Sequence, residues 1–341
     1  MDKQVAIIIP AWNAEKYLEA SLRSVLNQTY RALRVLVVND GSTDGTEAIL
    51  QRLRAEDDRL SFLTVPNGGP AAARNRALAQ LPAGTDYVMF LDADDLLLPD
   101  ALSYALERSE GAELTLFGYS ILRPDGSTRD YSEPEELLDR AGLGQALPRL
   151  YKANLLNQVW AKLFAVSLLE GLRFPDYRWG EDRLFLFDVL ERAQTVKVLP
   201  ESKHRYVMHE GESLITRYYE KKFDVCCEID RRLQALCAAL GTGGEADFRY
   251  MFAKSVFSCL TNLFSRSCRL SHREKRAVVR RIVNDERVLR RCRDASGGLP
   301  TRLLCAVLRS RLVGLNLFCF RLLAWTGERF PQLFLRLKHR K

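Results

Sequence analysis

Between residues 5 and 100 the chain alternates short apolar runs with segments of helical spacing, and this rhythm leaves few folds open. The apolar runs are 5–9, 35–38, Leu60–Val65 and 87–91. Residues 14–28 place Leu18, Leu22, Val25 and Leu26 on one helical face, and residues 43–53 do the same with Ile49, Leu50 and Leu53. Residues 71–81 give a third helix. Strands this apolar are buried on both faces, and their alternation with helices predicts a parallel, doubly wound sheet. Such sheets bind ligands beyond the carboxyl ends of their strands, so the residues that follow each run are where chemistry is to be sought.

Each of those ends is polar. The first run closes in Pro10-Ala11-Trp12-Asn13, where Pro10 is expected to end the ladder. The ring of Trp12 can stack on a nucleobase or simply cover the sheet edge. The second ends at Asp40, whose carboxylate can accept from the N–H of a pyrimidine, while Ser42, Thr43 and Asp44 suit a helix cap. The loop lacks the glycine spacing of a dinucleotide site and the Lys of a P-loop. Ahead of the third helix stands Asn67-Gly68-Gly69-Pro70, and free N–H groups there favour an anion. Arg74 can reach a diphosphate or lie on the helix surface. The fourth run ends in Asp92-Ala93-Asp94-Asp95. Carboxylates at i and i+2 beside a turn can share a hard divalent cation, or they can solvate a loop and cap a helix.

These four pieces, in this order and strand context, resemble the N-terminal half of a family 2 glycosyltransferase with the GT-A fold. The resemblance rests on residues 9–13, 39–44, Gly69-Pro70 with Arg74-Asn75, and Asp92-Ala93-Asp94-Asp95, and it extends to about residue 215. Trp160-Ala161-Lys162 resembles a segment lining the acceptor side, and Gly180-Glu181-Asp182 resembles the family's Glu-Asp motif. His204-Arg205-Tyr206-Val207-Met208-His209, with Ser213, resembles the stretch that returns a ligand to the metal or diphosphate. The resemblance implies an inverting transferase using a nucleotide sugar. Pro10, Trp12, Asn13, Asp40, Arg74, Asp92, Ala93 and Asp94 would bind the donor. Asp94, Asp92 and His209 would hold Mn²⁺ or Mg²⁺. Asp182 would be the catalytic base. Asp95, Trp160, Lys162, Trp179 and Glu181 would face the sugar or the acceptor. The implied product is a cell-surface polysaccharide, built on a glycan or lipid-linked acceptor.

Past residue 110 the rhythm changes. Leu114–Leu122 reads as a strand, 134–175 as mixed and loop-rich, and 182–192 as a helix. From about 218 the chain reads as nearly all helix, broken at 241–244 and 296–298. The expected division is a catalytic domain over 1–217 and a helical, basic region over 218–341. With 47% hydrophobic and 28% charged residues the composition is that of a globular protein with a real core. The first residues pass straight into a strand without a signal-peptide pattern, and no stretch approaches a membrane span, so a cytoplasmic location is expected. The eight cysteines all lie beyond position 225 without metal-ligand spacing, which points to buried, reduced thiols.

Charge is uneven. From Arg269 to Lys341 there are 19 Lys and Arg against 5 Asp and Glu, an excess of +14 in a chain of net charge +8. That asymmetry implies an anionic partner for the tail. An inner membrane surface fits, because basic, apolar helices suit anionic lipid. A nucleic-acid-binding protein is the competing class, but no helix-turn-helix, zinc or aromatic-basic module accompanies the charge. A non-catalytic nucleotide-sugar binder is the third, and the presence of both Asp94 and Asp182 argues against it.

Overall fold

The computed structural model describes residues 3–209, 217–243, 245–293 and 298–329. The chain divides into two compact units, residues 1–210 with 236–242, and residues 211–235 with 243–341.

The first unit is built on one mixed sheet. Strands β1 (Val5–Ala11), β2 (Leu33–Asp40), β3 (Leu60–Val65) and β4 (Tyr87–Phe90) lie in the order β3-β2-β1-β4, all parallel. Helices α1 (Leu18–Leu26), α2 (Thr46–Glu56) and α3 (Pro70–Leu78) connect them. The chain goes outward from β1 to β2 and β3, then returns to β4 on the other flank. The crevice between β1 and β4 is therefore the switch point at which an open α/β sheet takes its ligand.

Two expectations shift here. The ladder of β1 with β2 continues past Pro10 to the pair Ala11–Asn39, while the ladder with β4 ends at Ile8–Phe90. A proline removes one donor but its carbonyl still accepts, so it need not stop a strand. Helix α2 begins at Thr46 rather than Thr43, because Ser42–Asp44 are held in the loop: Thr43 N–H donates to Asn13 Oδ1 (2.8 Å), and Asn13 N–H donates to Ser42 Oγ (3.0 Å).

The remaining strands join in mixed sense. They are β5 (Leu96–Leu97), β6 (Leu114–Leu122), β7 (Thr128–Tyr131), β8 (Glu136–Leu138), β9 (Lys162–Ala165) and β10 (Val196–Val207). Antiparallel β9 sits between β4 and β6, β10 runs parallel to β6, and β5 lies antiparallel on β10. Helix α4 (Ala101–Arg108) follows β5. The segment expected to be loop-rich also holds helix α5 (Arg140–Lys152) and the short α6 (Val166–Leu169). Gly142, Gly144 and Pro148 hide α5 from a reading by propensity. Helix α7 (Glu181–Arg192) buries Leu184, Phe185, Phe187 and Leu190.

The second unit carries α8 (Lys222–Ala239), whose last turn belongs to the first unit, followed by α9 (Glu245–Asn262), α10 (His272–Val283), α11 (Glu286–Arg291), α12 (Leu299–Arg309) and α13 (Val313–Arg329). A capping box between Ser271 and Glu274 opens α10. All eight cysteines are free, and five of them are buried. Among the described residues no helix is long and apolar enough to cross a membrane.

Candidate active site

The centre of the site is a buried guanidinium. Arg74 lies on α3, only 3% exposed. Its Nη1 donates to Asp182 Oδ1 (2.6 Å) and Glu181 Oε1 (3.3 Å), and its Nη2 donates to Asp92 Oδ1 (2.8 Å). The ring of Phe174 lies under it, 5.4 Å from the guanidinium carbon. One arginine thus gathers the acid loop after β4 and the start of α7, parts of the chain about 90 residues apart. Burial alone would lower the Arg74 pKa, but the charges of Asp182, Asp92 and Glu181 overcome it and the net direction is up.

Gly180 turns the chain into α7 at φ 82°, a left-handed conformation that a side chain would strain. Burial pushes the Glu181 carboxyl up to about 8, with Asp182 adding like charge against the pull of Arg74. Asp182 shifts in the same direction for the same reason, and its side chain keeps 18% of its surface exposed. It can therefore meet a hydroxyl from outside while held by Arg74.

Lys162 is nearly fully buried, and its Nζ donates to the Trp160 carbonyl (3.2 Å). Burial depresses its pKa to about 7, opposed by the charge of Asp182. Between them Ala161 sits at φ 56°, a strained conformation for a residue with a Cβ. Trp160, expected on the acceptor side, is 8% exposed and stacks on the His204 ring at 4.3 Å. Trp179 is half-buried, just ahead of Gly180.

The three acids after β4 separate. Asp92 is bound to Arg74. Asp94 is the most open, and its pKa is pushed up to about 7 by burial and then by the charges of Asp95 and Asp92. Asp95 is fully buried: Oδ1 accepts from Val207 N–H (3.0 Å) and Oδ2 pairs with His204 Nε2 (2.9 Å). It ties the acid loop to β10, so it neither faces outward toward a sugar nor opens the next helix, the two places the sequence left open for it. Ala93 is buried between the two acids.

Strand β10 then delivers His209. Its ring stacks on Tyr17 at 3.8 Å, and its Nε2, buried and without a hydrogen bond, lies 3.5 Å from Asp94 Oδ2. An unpaired ring nitrogen beside a carboxylate crowded by like charges is a donor set that fits a hard divalent cation. Among the described residues no three His, Cys, Asp or Glu side chains form a complete cage. Ser213 lies outside the described residues.

The strand-end residues of β1 and β2 form the other wall. Trp12 is 56% exposed. Asn13 adopts φ 48° and locks the β1 loop to the β2 loop. Asp40 is buried, accepting from Gly68 N–H (2.8 Å), Gly69 N–H (2.7 Å) and the Asn67 amide (3.2 Å). It shapes the loop that precedes α3. Two contributors had no assigned role in the sequence reading. His204 lay in a quoted stretch, and its burial emerges only when β10 pairs with β5. Tyr17 sits just before α1 and carries no local signal.

The sequence model described as "Glycosyl transferase family 2" matches residues 6–172. The putative teichuronic acid biosynthesis glycosyltransferase TuaG of Bacillus subtilis is 38% identical over 237 residues, covering 67% of this chain and 88% of that protein. The GalNAc(5)-diNAcBac-PP-undecaprenol beta-1,3-glucosyltransferase of Campylobacter jejuni is 29% identical over 185 residues, covering 52% of this chain and 57% of that protein. The chain spans between 33% and 65% of the length of the first curated relatives it matches. The crystal structure of S. aureus TarS in complex with UDP-GlcNAc has the same fold, with a TM-score of 0.67 at 20% identity, covering 95% of this chain and 92% of that one.

Proposed function

The chain belongs to glycosyl transferase family 2, and from that premise we propose that it transfers a sugar, with inversion, from a UDP-sugar to a hydroxyl of a glycan or lipid-linked acceptor. The observation that carries the reading is the convergence of Asp92 and Asp182 on Arg74 beside Asp94, at the switch point of the sheet. The solved relative with UDP-GlcNAc supports a uridine donor. The Campylobacter enzyme, named for an undecaprenol-linked glycan, supports a lipid-linked acceptor.

In this reading Trp12 covers the base, Pro10 and Asn13 shape its pocket, and Asp40 positions the loop around it. Asp92 faces the ribose and diphosphate. Asp94 and His209 would hold Mn²⁺ or Mg²⁺, with Asp92 kept by Arg74 instead of completing the set the sequence suggested; when bound, the metal would stabilise negative charge on the departing diphosphate. Asp182 takes the proton of the acceptor hydroxyl. The freed oxygen bonds to the anomeric carbon as the bond from that carbon to the diphosphate breaks, and the diphosphate leaves with the electron pair. Glu181, Lys162, Trp160 and Trp179 shape the acceptor side. The enzyme would work in the cytoplasm, with its basic helical unit against the anionic inner face of the plasma membrane.

The test is a panel of UDP-, GDP- and TDP-sugars with Mn²⁺, scored for nucleotide release. Release should be confined to UDP-sugars and should need the metal. Asp182→Asn should lower turnover by about 10²–10⁴ with donor binding retained. Unchanged turnover in that variant would remove Asp182 from the base role.

A further inference from the structure

The second unit exposes apolar surface where a globular protein normally hides it. Among the described residues ten large apolar side chains are exposed, and seven fall between Leu299 and Trp325. On α13, Leu315 (41%), Phe318 (67%), Leu322 (48%) and Trp325 (53%) recur at the three- and four-residue spacing of a single helix face. The opposite face of α13 is already used, since Asn316, Leu317 and Phe320 are buried. Helix α12 adds Leu299 (70%) and Leu303 (58%), and Leu312 (59%) lies between the helices.

Along the chain from Gly298 to Gly327 the charge has one sign. Arg302, Arg309, Arg311 and Arg321 are all exposed. From Gly298 to Gly327 the sequence contains no Asp or Glu. Beside the stripe, Phe264, His272, Lys275, Arg321, Ala324 and Trp325 line an open cleft of about 440 Å³. Lys275 Nζ stands 5.3 Å from the centre of the Phe264 ring. The cleft thus offers basic and aromatic groups and shares Arg321 and Trp325 with the apolar face.

We infer that the outward face of α12 and α13 is a docking surface for an anionic lipid bilayer. The leucines, Phe318 and Trp325 would enter the headgroup–acyl boundary, the arginines would meet lipid phosphates, and the cleft would take one headgroup phosphate. The combination of large apolar and aromatic side chains with arginines and no acids is that of a helix lying in a membrane interface. A second copy of the chain fits less well, because a two-fold interface sets the same patch against itself and would bring these arginines together. The inference rests on the membrane contact proposed above and names the surface that makes it.

The experiment sediments the full chain with vesicles of phosphatidylcholine alone or of equimolar phosphatidylcholine and phosphatidylglycerol, and measures UDP-sugar hydrolysis in the same samples. The wild-type chain should sediment only with the anionic vesicles. Phe318→Glu with Trp325→Glu should lower partitioning by at least roughly tenfold, with hydrolysis unchanged. Arg302→Gln, Arg309→Gln and Arg311→Gln should lose roughly fivefold each at low salt, and less as salt is raised. Should the glutamate pair fail to fold, Phe318→Ser with Leu322→Ser carries the same prediction. If the wild-type chain stays in solution, the membrane contact itself is wrong. If the variants sediment as well as wild type, membrane contact survives and this surface is wrong. A concentration-dependent dimer abolished by the glutamate pair would assign the face to a second copy and overturn the inference. Hydrolysis reports on the transferase reading independently of all three.

Discussion

In the first unit Arg74, Asp95, Lys162, Glu181 and His204 are buried, each held against at least one partner. In the second, Leu299, Leu303, Phe318 and Trp325 are exposed, as are Arg302, Arg309, Arg311 and Arg321. Each region departs from the ordinary partition of polar and apolar groups, in opposite directions. The departures have different costs. A buried charge is tolerated only where partners surround it, so its removal unbalances its neighbours. An exposed leucine costs the folded state little, because it was equally exposed in the unfolded chain. The first kind of departure therefore implies a geometry that must be kept, and the second implies a contact still to be made.

Replacing one arginine in each region puts this contrast to a direct test. Arg74→Ala leaves Asp92, Glu181 and Asp182 without their shared cation, and should cost about 3–5 kcal/mol of stability. Arg302→Ala, on the exposed side of α12, should stay within about 0.5 kcal/mol. Urea unfolding of both variants measures the two numbers. Similar costs would mean that the site's acids relax into water when Arg74 is lost, and that the cluster is less closed than its burial indicates.

A second substitution should move stability the other way. Burial holds the folded Lys162 at about 7 against an ordinary value of 10.5, so folding disfavours its charged form. The sign follows from proton counts: between pH 7 and 10.5 the unfolded chain carries the extra proton, and stability rises with pH across that window. At pH 7 the cost is on the order of 4 kcal/mol. Lys162→Met should therefore raise the unfolding midpoint, by most at or below pH 7 and by little near pH 10.5, while turnover falls. A gain independent of pH would mean that better packing, and not the buried amine, explains it. A fall in turnover together with that gain would mark Lys162 as a residue kept near Asp182 at the expense of stability.

The same contrast separates what the sequence makes legible from what it hides. The placement of Trp12, Asp40, Asp92 and Asp94 at strand ends was legible because parallel strands put their last residues at one edge, and the apolar runs mark where strands end. The motif around Asp182 singled it out, but its contact with Arg74 was not legible, since nothing in local periodicity places residue 182 beside residue 74. The enclosure of Asp95 by β10 was not legible, because a pairing 109 residues apart leaves no trace in a local pattern. Helix α5 was missed because its two glycines and Pro148 contradict its packing, and tertiary contacts override propensity there. The tail read as basic helix from composition, but which of its apolar residues face solvent depends on how α13 rolls onto α9 and α10.

The smallest expected effect concerns Asp94, the most exposed of the three acids after β4. Its carboxyl titrates near 7 because burial and the charges of Asp95 and Asp92 disfavour its ionised form. A divalent cation binds the ionised form, so proton and cation compete for the same oxygens. Below pH 7 the rate at limiting Mn²⁺ should fall as Asp94 protonates, approaching tenfold per pH unit. Raising Mn²⁺ should move the inflection to lower pH, because the cation stabilises the carboxylate that the neighbouring acids destabilise. Asp94→Asn, which keeps the shape without the proton equilibrium, should lose the acid limb along with most of its rate. At fixed Mn²⁺ the vesicle partitioning should not fall with acid across the same range, since no carboxylate lies between Gly298 and Gly327. An acid limb that stays fixed as Mn²⁺ is raised would detach Asp94 from the metal and leave the limb to Asp182, whose pKa burial also moves upward.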